Sequence, residues 1–312
     1  MLNRRLIRIK VFQALYAYLQ DETPSLNKAK SYLQNSVAGI ERNFFTVLLF
    51  PIELTHFIRT QLNPSENKYL PSDVDLRVYK NLSFEGIYDQ MVQHDEVRRY
   101  LEKPAHRWQD HPETLRSIYK DLTKAEMLQD YLSKDNPSVA EQQKAFIQLY
   151  KYIVDESEEF SQEMEEINML WEDEQIPVRN ASQQFMKSIY SGKPIKGSKN
   201  QSEETDWEFA EELLEKTVRH YKDNVELVAK SAPKWDKERI AKTDMVLMTM
   251  ALTELTEFPY IPIKVSLNEY LELAKDYSTP QSSKFINGVL DKLVKQLQAQ
   301  NKLVKKGRGM VG

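Results

Sequence analysis

Residues 264–292 read KVSLNEYLELAKDYSTPQSSKFINGVLDK, and this stretch decides the fold. Its apolar positions recur at spacings of three and four, the period of a helix with one face buried. Leu267, Tyr270, Leu271, Ala274 and Tyr277 form one stripe, and Ile286, Val289, Leu290, Leu293 and Leu297 form the next. Between them Ser278-Thr279-Pro280-Gln281 reads as a turn, because a proline disfavours helical geometry at the residue before it. Ser266 and Glu269 stand in the S-x-x-E order of a capping box, and Ser282 or Ser283 is placed to cap the second helix. The stretch is predicted as two consecutive helices joined by a short polar turn.

Phe285 lies off the second stripe. At about 100° per residue it falls roughly a quarter-turn from the stripe's centre, beside Lys284. One reading is nucleotide binding, with the ring stacked on a base and the cation against phosphate. The other is a ring that closes the edge of the core. Gly288 costs a helix interior about 1 kcal/mol relative to alanine, and the expected return is close approach of another backbone.

The same periodicity runs outward through the chain. Only eight glycines occur in 312 residues, and Gly86 alone lies between positions 40 and 191. No alternating apolar-polar runs with Asn-Gly or Asp-Gly turns appear, so the fold class is all-α. Residues 3–20 form the first helix, with a main stripe of Ile7, Val11, Ala14, Leu15 and Tyr18. Arg5, Arg8, Phe12 and Tyr16 line a second face. Basic residues interleaved with aromatics suit a phosphate backbone and unstacked bases; a wholly buried helix with an exposed basic start, supported by Leu6 and Ile9, is the alternative.

Helical patterns continue over 25–62, with a break expected near Pro51, and over 83–102, 113–133, 138–172 and 178–191. Residues 73–81 read either way. Residues 192–206 are polar, and Gly192, Gly197, Ser198 and Lys199 have the outline of a phosphate-binding loop. The required order is Gly-Lys-Ser/Thr after a strand, so the likeness is chance. Asp206 is placed to cap a helix whose stripe runs from Trp207 through Leu214 to Val228. Residues 240–255 are apolar nearly all round and predict a central buried helix. Asp244 interrupts it, either as a surface acid that suits the helix dipole or as a partner contact.

Charge is unevenly spread in a chain of net charge −4. Residues 1–20 hold Arg4, Arg5, Arg8 and Lys10 and no acid; residues 292–312 hold six cations and no acid. Ten acids and no base lie between Tyr152 and Val178. Such separation predicts a localised anion-binding region. The chain has no cysteine, which excludes disulfides and thiolate metal sites. No apolar run approaches the roughly 20 residues of a membrane span, and the N-terminus does not read as a signal peptide, so a cytoplasmic protein is expected. The five histidines, His56, His94, His106, His111 and His220, offer no H-E-x-x-H pair. With no Rossmann fingerprint or triad order, no enzyme activity, cofactor or metal is expected.

The opening stretch resembles the C-terminal signature of the NusB transcription antitermination family. Here the signature reads Val265-Ser266-Leu267-Asn268-Glu269, Glu272-Leu273-Ala274-Lys275 and Lys284-Phe285-Ile286-Asn287-Gly288-Val289-Leu290-Asp291-Lys292. Arg4-Arg5-x-x-Arg8 followed by Gln13-Ala14-Leu15-Tyr16 is similar to the family's arginine-rich first helix. Trp235, Asp244 and Ala251-Leu252-Thr253-Glu254-Leu255 are similar to its central helix. The resemblance covers residues 1–20 and 206–297. It implies a compact helical bundle from those two segments, with an additional helical region over 21–191 inserted after the first helix. A polar linker over 192–205 and a basic tail over 298–312 complete the expected organisation.

The resemblance further implies a factor that binds boxA RNA of nascent ribosomal RNA transcripts together with NusE, a small-subunit ribosomal protein. It would act on the RNA polymerase elongation complex indirectly, without covalent chemistry and away from membranes. Arg4, Arg5 and Arg8 would contact phosphates, Phe285 a base, and Lys275, Gln281 and Lys284 the RNA backbone. Tyr16 and Asp244 would lie at the junction with NusE. Gln281 stands where the family often has an acid, and Leu6 and Ile9 thin the arginine cluster. Two rivals are an enzyme and a pure protein scaffold. The fold also occurs fused to ribosomal RNA cytosine methyltransferases, but those need a nucleotide-binding domain after the helices, and none is expected here.

Overall fold

The computed structural model describes residues 4–67, 70–102, 107–191, 201–233, 240–279 and 281–307. His106, Trp235, Pro280, the glycine-containing segment 192–200 and the tail beyond 307 lie outside the described residues. In chain order the helices are α1 (Arg4–Gln20), α2 (Leu26–Gln61), α3 (Pro64–Asn67), α4 (Asp73–Leu82), α5 (Glu85–Gln93), α6 (Asp95–Glu102), α7 (Pro112–Leu122) and α8 (Glu126–Leu132). They continue as α9 (Val139–Glu156), α10 (Glu158–Ile167), α11 (Trp171–Ser191), α12 (Gln201–Ser231), α13 (Lys242–Glu257), α14 (Ile263–Tyr277) and α15 (Ser282–Ala299). No strand occurs among the described residues, and the fold is all-α. None of the described helices is long and apolar enough to cross a membrane.

The chain divides into two compact units, Met1–Ala38 with Lys199–Gly312, and Gly39–Ser198. Against the boundaries read from sequence, the first unit reaches further, because α2 starts within it and α12 begins at Gln201.

In the first unit α13 is the axis. Every residue from Asp244 to Leu255 is buried, as an all-round apolar sequence requires. α1, α12, α14 and α15 pack against it. The stripe Ile286, Val289, Leu290, Leu293 and Leu297 is buried as its spacing predicts.

α1 is more deeply buried than an amphipathic reading allows. Leu6 through Phe12 are all buried, so the face carrying Arg8 and Phe12 is interior rather than RNA-facing. The cause is a charged cluster at the core. Arg8, 2% exposed, donates from Nε and Nη2 to the two carboxylate oxygens of Glu254 at 2.8 Å each. Glu254 is wholly buried and also accepts from Ser266 Oγ at 2.7 Å and Tyr270 OH at 3.2 Å. Burial works to strip the Arg8 proton, but the paired bonds to Glu254 win and hold the guanidinium charged. A planar fork matching a carboxylate is what arginine supplies and lysine does not.

That cluster also explains why the expected capping box is absent. Ser266 is buried and spends its hydroxyl on Glu254, while Glu269 takes two hydrogen bonds from Arg5 at 3.1 Å. α14 starts earlier, at Ile263, with Pro262 as the flanking residue. Asp206 likewise caps nothing. It lies inside α12, buried, with Arg4 Nε 3.9 Å away.

The second unit breaks the predicted long patterns into pairs. α5 and α6 part at His94, α7 and α8 at Thr123–Ala125, and α9 and α10 at Ser157, whose hydroxyl caps α10 through Phe160 N–H. α4 forms with a true capping box, Ser72 with Asp75. The break expected at Pro51 does not occur: α2 runs through it, and residues 43–55 are all buried, so packing outweighs one missing N–H. Next to it, Glu53 is buried and accepts the backbone N–H of Gln109 at 3.2 Å, which pins the short 3-10 turn Trp108–Asp110. Trp108 in turn donates to Thr46 O at 2.8 Å and packs on Phe50 and Phe160.

Two measurements follow from these buried acids. Glu254→Gln removes the bidentate partner of the buried Arg8 charge, leaving only Glu269 at 3.8 Å, and should destabilise the protein by about 3–5 kcal/mol, read as a shifted denaturation midpoint. An unchanged midpoint would dismiss the cluster as a support. Burial raises Glu53 to about 7 against the backbone bonds that oppose it. Its native state therefore holds a proton that the unfolded chain has lost. Stability from this group is full below the ordinary carboxyl range and declines as pH rises to about 7, by roughly 3 kcal/mol in all. Glu53→Gln should flatten that decline in urea titrations between pH 5 and 7; an identical pH profile would refute it.

Candidate nucleic-acid interface

The turn after α14 and the first turns of α15 build an open groove of about 650 Å³. One wall comes from Gln281, Lys284, Phe285, Gly288, Val289 and Lys292. The other is the C-terminal end of α12, at Ser231, Ala232 and Pro233. Phe285 is half-buried, so its ring is both anchored and accessible, while Gln281 and Lys284 are exposed. Lys292 spans the groove and donates from Nζ to Ser231 O at 2.9 Å, holding the two walls in register.

Gly288 has a role other than the one its sequence suggested. A Cβ built there meets nothing within 4 Å, so no backbone crosses it. The glycine instead keeps the floor of the groove low. Lys284, Gly288 and Lys292 are spaced by four, one above another on the helix, and that spacing was the available signal for the groove. The contribution of the α12 end carried no sequence signal.

The turn itself is held from below. Asp244 is buried, at 4% exposure, and accepts the hydroxyl of Ser278. It is thus neither a surface acid nor an open contact for a partner; it ties the start of α13 to the turn that precedes the groove. Thr279 and Ser282 hydrogen-bond through their hydroxyls at 2.9 Å, and Thr279 Oγ1 accepts Ser282 N–H. Gln281 flanks the start of α15, with Ser282 its first residue.

The remaining predicted residues are spread along α1 and α14. Arg4 is half-exposed and lies over the Phe209 ring, 5.0 Å from its centroid. Arg5 is 41% exposed in its side chain and paired with Glu269, whose hydrogen bond raises its pKa. Lys275 is exposed beside Glu272, at 2.6 Å, and that contact lowers the Glu272 pKa. Tyr16 is half-buried, its ring centroid 6.1 Å from that of Phe12, which packs on Tyr277. Arg8 is out of reach of a phosphate, because its guanidinium is inside the core. Gln281, Lys284 and Phe285 come together in the groove, whereas Arg4 and Arg5 do not line it. From Glu269, where Arg5 sits, to Tyr277 is about 12 Å along the helix.

The family model for NusB matches residues 168–295. The transcription antitermination protein NusB of Salinibacter ruber is 37% identical over 145 residues, which cover 43% of this chain and 91% of that protein. The chain belongs to the NusB family. NusB of Chloroherpeton thalassium is 38% identical over 104 residues, 33% of this chain and 49% of that protein. NusB of Thermodesulfovibrio yellowstonii is 37% identical over 98 residues, 31% of this chain and 65% of that protein. No solved structure matches the chain. The NusB match takes in α11 as well as α12 to α15, so it starts well before residue 206, and both walls of the groove lie within it.

Since the space above Gly288 is open, Gly288→Ala should raise stability by about 1 kcal/mol in the free protein. Chemical denaturation measures it; a loss of stability would show that a neighbour does approach that position.

Proposed function

We propose that this protein is a transcription antitermination factor that binds boxA RNA of nascent ribosomal RNA transcripts together with NusE. Recruitment, with no bond made or broken, is the whole of its mechanism. The observation that carries this reading is the groove: an anchored but accessible aromatic ring, two exposed polar groups at a helix start, and a glycine floor. A base stacks on Phe285, Lys284 and Gln281 meet the backbone beside it, and the missing side chain at Gly288 lets the ribose approach. Toward the other end of α14, Arg4, Arg5 and Lys275 exchange their pairing with Asp206, Glu269 and Glu272 for phosphates, contacts that position the strand without reading it. Tyr16 serves the NusE junction directly. Asp244 serves it from beneath, by fixing the turn. The elongation complex is reached through these two partners.

The competing reading is a protein scaffold whose basic groups serve solubility. Titration of labelled boxA RNA separates the two. Phe285→Ala should weaken binding by about 1–3 kcal/mol, as loss of one stacked base does, with the helical signal unchanged. With about four cations engaged, log K should fall against log salt with a slope near −3. Absent RNA binding, or a folded Phe285→Ala protein that binds as tightly as the parent, would leave the scaffold.

A further inference from the structure

Residues 300–307, which follow α15, are part of the fold. Asn301 takes a left-handed conformation at φ 53°, and Lys302 N–H donates back to Leu297 O at 2.9 Å, a helix-ending turn that reverses the chain. The reversed segment then docks on the loop between α13 and α14. Lys306 N–H donates to Pro259 O at 2.9 Å, and Lys305 Nζ donates to Phe258 O at 3.1 Å. Gly307, at φ 51°, packs against Tyr260, since a Cβ there would lie 3.6 Å from the ring.

These contacts hold Tyr260 in place yet leave it 67% exposed. Lys305 is half-buried, and burial lowers its pKa, so it is an anchor. Lys302 and Lys306 are exposed, as is Lys264 four residues past Tyr260. The nearest acid in sequence, Glu257, is engaged by Lys216 at 3.7 Å. An exposed ring backed by Gly307, next to a docked segment that carries the exposed Lys302 and Lys306, has the composition of a stacking platform for single-stranded nucleic acid.

α15 joins the groove to the docked segment. Lys284, Gly288, Lys292 and Lys295 follow at spacings of four, four and three, all exposed, with the exposed Asp291 among them as the one acid. From Phe285 to Ala299 the helix advances about 21 Å. In the sequence, residues 292–312 carry six cations and no acid in a chain of net charge −4, a local balance that suits a polyanion.

We infer that Tyr260, with Lys302 and Lys306, forms a second single-stranded RNA contact that takes nucleotides flanking those in the groove. This rests on the groove reading only for which RNA is presented. The test uses the full chain and two labelled RNAs: a short boxA segment, and the same segment extended at both ends by unstructured uridine flanks. The parent protein should bind the extended RNA more tightly. Tyr260→Ala should weaken the extended RNA about tenfold, as one lost stack does, and leave the short RNA unchanged. Tyr260→Trp should retain the parent affinity. Lys302→Ala with Lys306→Ala should reduce the salt slope for the extended RNA by about 1.4.

Equal affinity for the two RNAs, or an extended complex indifferent to Tyr260→Ala, overturns the inference. Loss of short-RNA binding alone, with Tyr260-dependent binding of the extended RNA intact, overturns the groove reading and sustains this one.

Discussion

The bidentate bond between Arg8 and Glu254 is the constraint on which the first unit depends. Two side chains 246 positions apart meet in the core, and neither is tolerable there without the other. Around them Ser266 and Tyr270 fill the remaining acceptor capacity of the carboxylate. α1, α13 and α14 are thereby fixed at a single mutual register. Apolar packing alone would permit sliding between helices, whereas a fork that fits one carboxylate does not.

The groove inherits its geometry from that register. α14 leaves the cluster, ends at Tyr277, and passes into a turn that Asp244 holds by Ser278. α15 starts immediately afterwards, with Lys284 and Phe285 in its first turn. The surface that faces solvent is therefore set by bonds made beneath it, and the side chains best placed to meet RNA are few.

Periodicity made the helices of the first unit legible, and α13 and α15 in particular, because their buried faces follow spacing alone. Polar residues were harder. Ser266 and Glu269 have the order of a capping box, but a serine spaced for a cap is equally spaced for a bond to a helix far away in sequence. Arg8 reads as a surface cation because buried arginine is uncommon, and its partner is distant. Gly288 stands out in the sequence, yet its purpose depends on what lies opposite, which no local pattern carries. In the second unit, Pro51 was overruled by packing, and the short breaks at His94 and Ser157 fell inside patterns that look continuous. Phe285 was readable in both of its aspects, as core edge and exposed ring, and it is half of each.

The pairing of residue 8 with residue 254 also bears on how this protein can be dissected. The span shared with relatives through the family model starts at residue 168 and so excludes α1. A fragment cut to that span would retain Glu254, Ser266 and Tyr270 but lack the cation they were assembled around. Similarity boundaries here mark which letters resemble other chains; the autonomous folding piece must also include the first helix, however far upstream it is encoded.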